Sequence, residues 1–563
     1  MASLLVLVRE EPFKARAYER GARVLERLDA DLARLVDERR LTELGGIGPG
    51  LAAAISELHL TGQSQALQRL RNRLPPGALE LSRIRELGLQ KIEALHAALG
   101  IHTIAQLKAA CESGQVRAIK GFGPKTERRI LEAIRRLEAP GPVRVLLHHA
   151  LDVAESLVIH LGQAPGARAM EIAGGLRRWT ETVDSLVVVL VSERPAAAVE
   201  HALAFPLIAL VTMRELSSCR ATLTNGLPFE LRVVSPDTYP SEVLYATGSQ
   251  GHVEHLERLA RARELELGRS GLFRAGGTRL PADSEPDLYH CLGLPYIPPE
   301  LREDEGELQA AMNGRVPADL LRLEAIQGLV HCHTVYSDGK HTIEQMARAA
   351  DALRMRYLTI TDHSPTASYA GGLAIERLKS QWEEIARVQE MVSVRLLRGT
   401  ESDILADGSL DYPDAVLEQL DIVIASIHSR MRMDADQMTR RLVRAMKRPH
   451  FKIWGHALGR LVLSRPPIDC RVEEVLDAVA ASPAAVEING DPHRLDLEPR
   501  WVRAARERGI RFVVSTDAHS MAELGNVRYG VAMARRGWVD HGEVLNTLDA
   551  EGFARAVSPA RRA

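Results

Sequence analysis

Cysteine is scarce: Cys111, Cys219, Cys291, Cys332 and Cys470 are scattered through 563 residues without a C-x-x-C, which excludes a disulfide framework and a zinc ribbon. A reducing compartment fits. Excess charge of one sign is also missing, with 72 Lys and Arg against 74 Asp and Glu, so the chain is not held to nucleic acid by bulk charge. Any basic surface must be local. Residues 1–140 carry 23 basic and 17 acidic side chains against 49 and 57 in the remainder, which makes the amino-terminal quarter the better candidate for touching phosphates. No apolar run approaches membrane-spanning length, and MASLLVLVREEPF lacks the basic stretch of a signal peptide. We expect a cytosolic protein with no membrane partner.

What is present is ample apolar content, 45 %, and length for three or four domains at roughly 150 residues each. From Glu10 to about Leu137 apolar residues recur at three- and four-residue spacing with glycine punctuation, the pattern of an all-α region. Between Val143 and Val234, SLVVVLV (185–191) and FELRVV (229–234) predict strands among helices, an α+β unit. Residues 281–325, rich in Pro and acids, read as a connector. From Gly328 onward strands and helices alternate, with helices near 342–354 and 375–392, and this implies a parallel sheet or barrel.

Nearly every strand of that last region ends in a histidine or an acid: His331, His333, Asp338, His363, Glu401, His428, His456, Asp517 and His519. In a parallel barrel the carboxyl ends of the strands converge on one face, so these residues can meet in one pocket. Two-residue spacing puts His331 and His333 on one side, likewise Asp517 and His519, and turns Cys332 away as a small buried hydrophobe. Nine imidazole and carboxylate groups exceed the needs of one ion and suit two or three of Zn, Mn or Fe. A lone histidine such as His341, His450 or His541 reads as core or cap instead.

Here the chain resembles the PHP (polymerase and histidinol phosphatase) family, through H-x-H-T-x-x-S-D-G at 331–339, T-D-H-S at 361–364, G-x-E at 399–401, S-x-H at 426–428, G-H at 455–456 and S-T-D-A-H at 515–519. The resemblance implies a distorted (β/α)7 barrel holding three divalent transition metals, Mn or Zn, with Fe a third option. It implies one ion on His331, His333, Glu401 and Asp517, a second on Asp338, His363 and His519, and a third on Glu401, His428 and His456. The one local departure is Ala457, where many relatives have proline. Such a site makes hydroxide at neutral pH and clamps phosphoryl oxygens, the two needs of phosphoester hydrolysis. Arg460 and Arg494, just after metal-site strands, are candidates for binding substrate phosphate, with a structural ion pair the equal alternative.

LGGIGPGLAAAI (44–55) and IKGFGPKTERRI (119–130) share a hydrophobic residue, G-x-G-P, helix pattern that looks like a helix-hairpin-helix, with a degraded third copy at RELGLQKI (85–92). Gly46, Gly48, Gly121 and Gly123 would let backbone N–H groups approach a DNA phosphate, and Lys120 and Lys125 would add charge. Together with PFKARAY (12–18), LRRWTETV (176–183), YATGS (245–249) and YIPPELRE (296–303), the whole chain resembles the bacterial family X DNA polymerases that carry a PHP domain. That resemblance implies the following divisions: 1–80 and 81–140, helical with helix-hairpin-helices, the second fingers-like; 141–240, a polymerase-β-like palm; 241–303, a thumb; 304–327, a linker; and 328–563, the PHP barrel.

The palm departs from the family where its metals would bind. The pattern G-S-x-R-R-x-x-E-T-x-G-D-x-D appears as GGLRRWTETVDSLV, with Gly175 for serine and Ser185 and Val187 for the acids, and the third acid appears as Glu230. Asp184 has Leu186 as its same-face neighbour, so a one-residue slip still leaves a single carboxylate. Ala246 and Val253 replace nucleotide-contacting residues, and Gly50 and Ala54 occupy the positions of a Schiff-base lysine. The sequence therefore predicts a DNA-repair protein whose palm is a DNA-binding scaffold without polymerase activity and whose PHP domain is a metal-dependent 3'-5' exonuclease or related phosphodiesterase acting on single-stranded, gapped or 3'-end DNA. The alternatives are a small-molecule phosphatase of the histidinol phosphate type and a non-enzymatic DNA scaffold with a structural metal cluster.

Overall fold

The computed structural model describes residues 87–138 and 143–558 continuously and, before them, 18, 21, 35–36, 38–44, 47–61, 64, 74–75, 77–82 and 84. The chain divides into two compact units, Met1–Pro142 and Val143–Ala563.

In the first unit, helices Pro49–Thr61, Leu89–Leu99, Ile104–Glu112 and Pro124–Glu138 follow the predicted periodicity. The apolar stripes of the last three, with Ile92, Leu95, Leu107, Ile130 and Ile134 fully buried, form one small core, while Ile55 of Pro49–Thr61 packs in a separate cluster with Leu35, Val36, Leu41 and Ile47. Thr103 starts the third helix by accepting from the Gln106 N–H while the Gln106 side chain accepts from the Thr103 N–H, which satisfies two end donors reciprocally.

The second unit opens with a five-stranded sheet ordered Ala167–Ala173, Leu186–Ser192, Pro228–Val234, Ser218–Leu223, Ile208–Arg214. The β-branched run at 186–192 takes an interior position, where both faces of a strand are covered. A thumb-like part follows with a three-stranded antiparallel sheet over 265–280 and the helix Glu285–Cys291.

The segment 304–327, expected as a linker, is folded. It contains the helix Glu307–Met312, and its Leu308, Ala311 and Leu320 share a core with Tyr289, Ile297 and Trp538. The acids that gave it a solvated appearance are partly internal: Glu307 is buried, 2.6 Å from His252 Nδ1, and accepts from the N–H groups of Asp304 and Glu305.

Beyond it, seven parallel strands follow one another in chain order: Gly328–Leu329, Tyr357–Ile360, Arg395–Asp403, Ile422–Ser426, Ile453–Trp454, Ala485–Asn489 and Phe512–Ser515. Hydrogen bonds from Thr516 N to Val330 O (3.0 Å), Ala518 N to His331 O (3.0 Å) and His333 N to Ala518 O (2.8 Å) join the last strand's end to the first and close the barrel there. Its strands are buried almost throughout, as expected of a parallel sheet wrapped by helices.

Candidate metal centre

The barrel's closure brings all nine strand-end residues to one pocket at its carboxyl end. Glu401 lies at the centre, fully buried at the end of the long third strand. Its Oε1 is 2.7 Å from His456 Nε2 and 3.2 Å from His428 Nε2, and its Oε2 is 3.0, 3.4 and 3.7 Å from His363 Nδ1, His331 Nε2 and His333 Nε2. Asp517 Oδ1 faces His331 and His333 at 3.6 and 3.4 Å, while Asp338 Oδ1 faces His519 and His363 at 3.4 and 3.7 Å.

Three groups have ligand atoms close enough for an ion: His333, Asp338, His363 and His519; His331, His333 and Asp517; and His363, Glu401 and His428. These groupings differ from the expected division: His333 and His363 each stand between two groups, Glu401 falls in one group rather than two, and His456, though 2.7 Å from Glu401, falls in none. Among the described residues no other group of this kind occurs.

The strand periodicity that predicted the first pair does not reach it. The first strand ends at Leu329 and His331 adopts a left-handed backbone, φ +65°, yet both rings still face Asp517. Asp517 (φ +48°) and His456 (φ +21°) are also left-handed, a conformation non-glycine residues hold only where the surroundings over-determine it. Cys332 points away, buried, with its Sγ 3.5 Å from Thr516 Oγ1.

A supporting layer, absent from the sequence reading, holds these ligands. Glu487 is fully buried with Oε1 2.5 Å from His331 Nδ1, and its other oxygen accepts from the His456 N–H. Asp403 Oδ2 lies 3.3 Å from His428 Nδ1, and Asn489 donates to Asp517 at 3.2 Å. The signal for Glu487 was available: an acid inside the apolar run AAVEIN has to be paired when that strand is buried.

Electrostatics separate the imidazoles. Burial, with the His519 and His363 rings beside it, pushes His333 down to about 3, which keeps the ring neutral. Burial acts against charge on His331 too, but Glu487, Asp517 and Glu401 outweigh it and hold the ring well above its ordinary range. Burial opposes charge on Glu401, yet His428, His363, His331 and His456 hold it well below the carboxylate range. Buried carboxylates kept ionised among histidines, with His331 Nε2 and both ring nitrogens of His333 making no hydrogen bond, form a donor set that fits divalent transition ions.

Arg460 does not face the pocket's solvent. Buried, it pairs with Glu181 of the palm, with Glu498 at 3.1 Å, and with the Leu495 carbonyl, so of its two expected roles the structural one is observed. Arg494 stays at the site, its Nε 3.1 Å from Asp517 Oδ2.

In the palm, Val187 lies between Ala173 and Glu230 in register and packs beside Val189 and Val243. Ser185 donates to Asp184, and Glu230 is held by Arg232 at 2.9 Å and Arg220 at 3.3 Å. A side chain at Gly175 would bring its Cβ to 2.6 Å from Thr180 Oγ1. Ala246 borders the same apolar cluster and Val253 is buried.

In the first unit, Gly48 and Gly123 immediately precede helices, and a Cβ added at Gly48, Gly121 or Gly123 would meet nothing within 4 Å. Phe122 is buried while Lys120, Gly121, Gly123 and Lys125 are exposed, so the turn is anchored by its aromatic and presents its glycines outward. Gly46 lies outside the described residues.

Fold and site thus define a class: a helical region, a polymerase-type palm and thumb, and a barrel built to hold metal ions. In comparison with known families, a helix-hairpin-helix domain matches residues 1–64, a SAM-like helix-hairpin-helix tandem 78–136, the DNA polymerase beta thumb 242–303 and the PHP domain 330–489. The chain is 34% identical over 566 aligned residues, covering 99% of itself and 97% of the relative, to the DNA polymerase/3'-5' exonuclease PolX of Bacillus subtilis (strain 168). It belongs to the PolX family. Its barrel portion alone is also similar to probable phosphatases of Thermoanaerobacter sp. (strain X514), 30% identical over 38% of this chain and 89% of the relative, and of Caldanaerobacter subterraneus, 32% identical over 38% and 85%.

Proposed function

We propose that this PolX protein is a DNA-repair nuclease: its barrel hydrolyses DNA phosphodiesters from the 3' end with three divalent ions, Mn or Zn, and its palm, thumb and helix-hairpin-helices bind DNA without polymerising it. The observation that carries the reading is Glu401, whose two oxygens face different histidine groups in a buried pocket. When bound, the ions supply a hydroxide at neutral pH and neutralise charge on the phosphoryl oxygens. The residues' part would be to hold them: Glu401, with an oxygen toward each of two sets of histidines, together with Asp517 and Asp338 would supply the negative charge, and Glu487 fixes the His331 ring. Arg494, beside Asp517, is placed to meet a substrate oxygen.

The end-to-end likeness to a relative named as a 3'-5' exonuclease supports DNA over a small phosphoester, and the open glycine turns support a backbone-directed, sequence-independent grip. The absence of the paired acids, with Val187 in an apolar cluster and Glu230 held by arginines, supports a palm without catalytic magnesium. All five cysteines are unpaired, which supports a cytosolic location. The test is to incubate the protein with end-labelled single-stranded and gapped DNA in Mn²⁺ beside histidinol phosphate. Shortening from the 3' end that chelator stops and Mn²⁺ restores supports the nuclease. Turnover of histidinol phosphate alone selects the small-molecule phosphatase, and binding without any hydrolysis selects the scaffold.

A further inference from the structure

The loops leaving the metal-site strands carry large apolar side chains that the fold does not bury. Tyr369 is 72% exposed, yet its ring centroid lies 6.3 Å from that of His363 and 6.4 Å from that of His428. It sits on the short turn Ser368–Ala370, six residues beyond His363. That turn is pinned by hydrogen bonds from Ala370 N to Ala367 O (2.9 Å), Gly372 N to Ala367 O (3.1 Å) and Leu373 N to His363 O (2.8 Å). There is no slack beneath it, since a Cβ on Gly372 would stand 2.0 Å from the Ser364 carbonyl oxygen. The ring is therefore offered to solvent from a fixed backbone, beside two residues of the metal centre.

A single exposed tyrosine is ordinary on a protein surface. Here it has company: Val335, Leu463 and Met521, at 46%, 58% and 38% exposure, sit on the loops that follow His333, His456 and His519. Val335 and Met521 are tied together through His341, whose carbonyl and ring accept from their respective N–H groups at 3.0 and 3.3 Å. Apolar side chains thus stand on four of the loops leaving the metal-site strands, and of these Tyr369 is the one set beside the histidines.

We infer that Tyr369 is a stacking platform for the nucleobase next to the scissile phosphate. The inference rests on the phosphodiesterase reading and names its substrate's second contact. Aromatic stacking is tolerant of base identity because every base has a π face. A base inside a duplex has both faces covered by neighbours, whereas a base at an end has a face free to lie on the ring. An alkyl phosphomonoester gains nothing there.

The test measures kcat and KM separately in Mn²⁺ for wild type, Y369F, Y369W and Y369A. The substrates are a single-stranded oligonucleotide and the same oligonucleotide ending in an abasic tetrahydrofuran residue. Y369A is expected to raise KM on the natural end about tenfold, to leave kcat within about twofold, and to change nothing on the abasic end, with Y369F and Y369W close to wild type. Metal content, measured on each protein, should be the same, which separates lost stacking from a disturbed metal centre. Unchanged KM for Y369A on the natural end, or an equal loss on the abasic end, overturns the platform while leaving the nuclease standing. If wild type leaves DNA intact, both readings fall.

Discussion

Glu401 is the side chain whose loss should matter most, because each of its oxygens faces a separate set of histidines and its removal takes a shared negative ligand from neighbouring cations. Glu401→Ala should lower DNA hydrolysis by at least about a hundredfold and reduce bound metal, read by elemental analysis of identically purified, folded protein. A contaminating nuclease would be indifferent to the substitution, so wild-type activity in the variant would remove catalysis from this pocket. Glu487 makes a subtler case. It is placed to touch no ion, yet its hold on the His331 ring and the His456 N–H predicts that Glu487→Gln weakens metal affinity about 10- to 100-fold, measured by competition with a chromogenic chelator. The nine strand-end residues were legible because regular alternation ties each to a strand's end. Glu487 was legible only as a buried acid in need of a partner, not as the partner of His331, and Arg460's partner Glu181 lies 279 residues away, a closeness that only the folded barrel and palm create.

At the level of elements, the glycine turn before Pro124–Glu138 and the strand Leu186–Ser192 were both legible in the sequence. The turn could be read from spacing alone, since G-x-G-P leaves few conformations. Which glycine tests it cleanly could not: Gly121 has φ +92° while Gly123 has no positive φ, so a β-branched residue strains the backbone at the first position only. Gly123→Val in the full chain should therefore weaken DNA binding several-fold, with a loss of stability of no more than about 1 kcal/mol from the poorer helix cap, by placing bulk where a phosphate approaches, and the modest salt dependence expected from few phosphate contacts should shrink further. Unchanged affinity, measured by fluorescence anisotropy, would remove this turn from the DNA interface. The strand was equally legible, and its lack of acids at Ser185 and Val187 predicts no primer extension with dNTPs in Mg²⁺ or Mn²⁺. Template-directed synthesis at a rate comparable to an intact relative would show that other groups hold the nucleotide's metals.

Across the whole molecule, the divisions between parts were the least legible feature, because the charged residues that mark a linker in sequence here pair inside the fold. Glu285 is the sharpest example: with its side chain 6% exposed, it accepts from Arg177 of the palm at 2.6 Å and from Arg302 at 2.7 Å. Burial by itself would raise this carboxyl, but the guanidiniums of Arg302 and Arg177 outweigh it and hold it below the ordinary glutamate range. A carboxyl depressed in the folded state contributes stability that is complete above its unfolded value, about 4.3, and is lost as pH falls through the lower folded value. Protonation then leaves two cations without their shared partner, one of them, Arg302, with no exposed surface. Wild-type stability against denaturant should accordingly be insensitive to this group from about pH 7 to pH 5 and decline below about pH 4. Glu285→Gln should cost on the order of 3–5 kcal/mol at neutral pH and show a shallower decline in acid, because the group whose protonation drives it is gone. Equal acid dependence in the two proteins would assign the low-pH loss to other carboxylates and leave Glu285 only a packing role between palm and thumb.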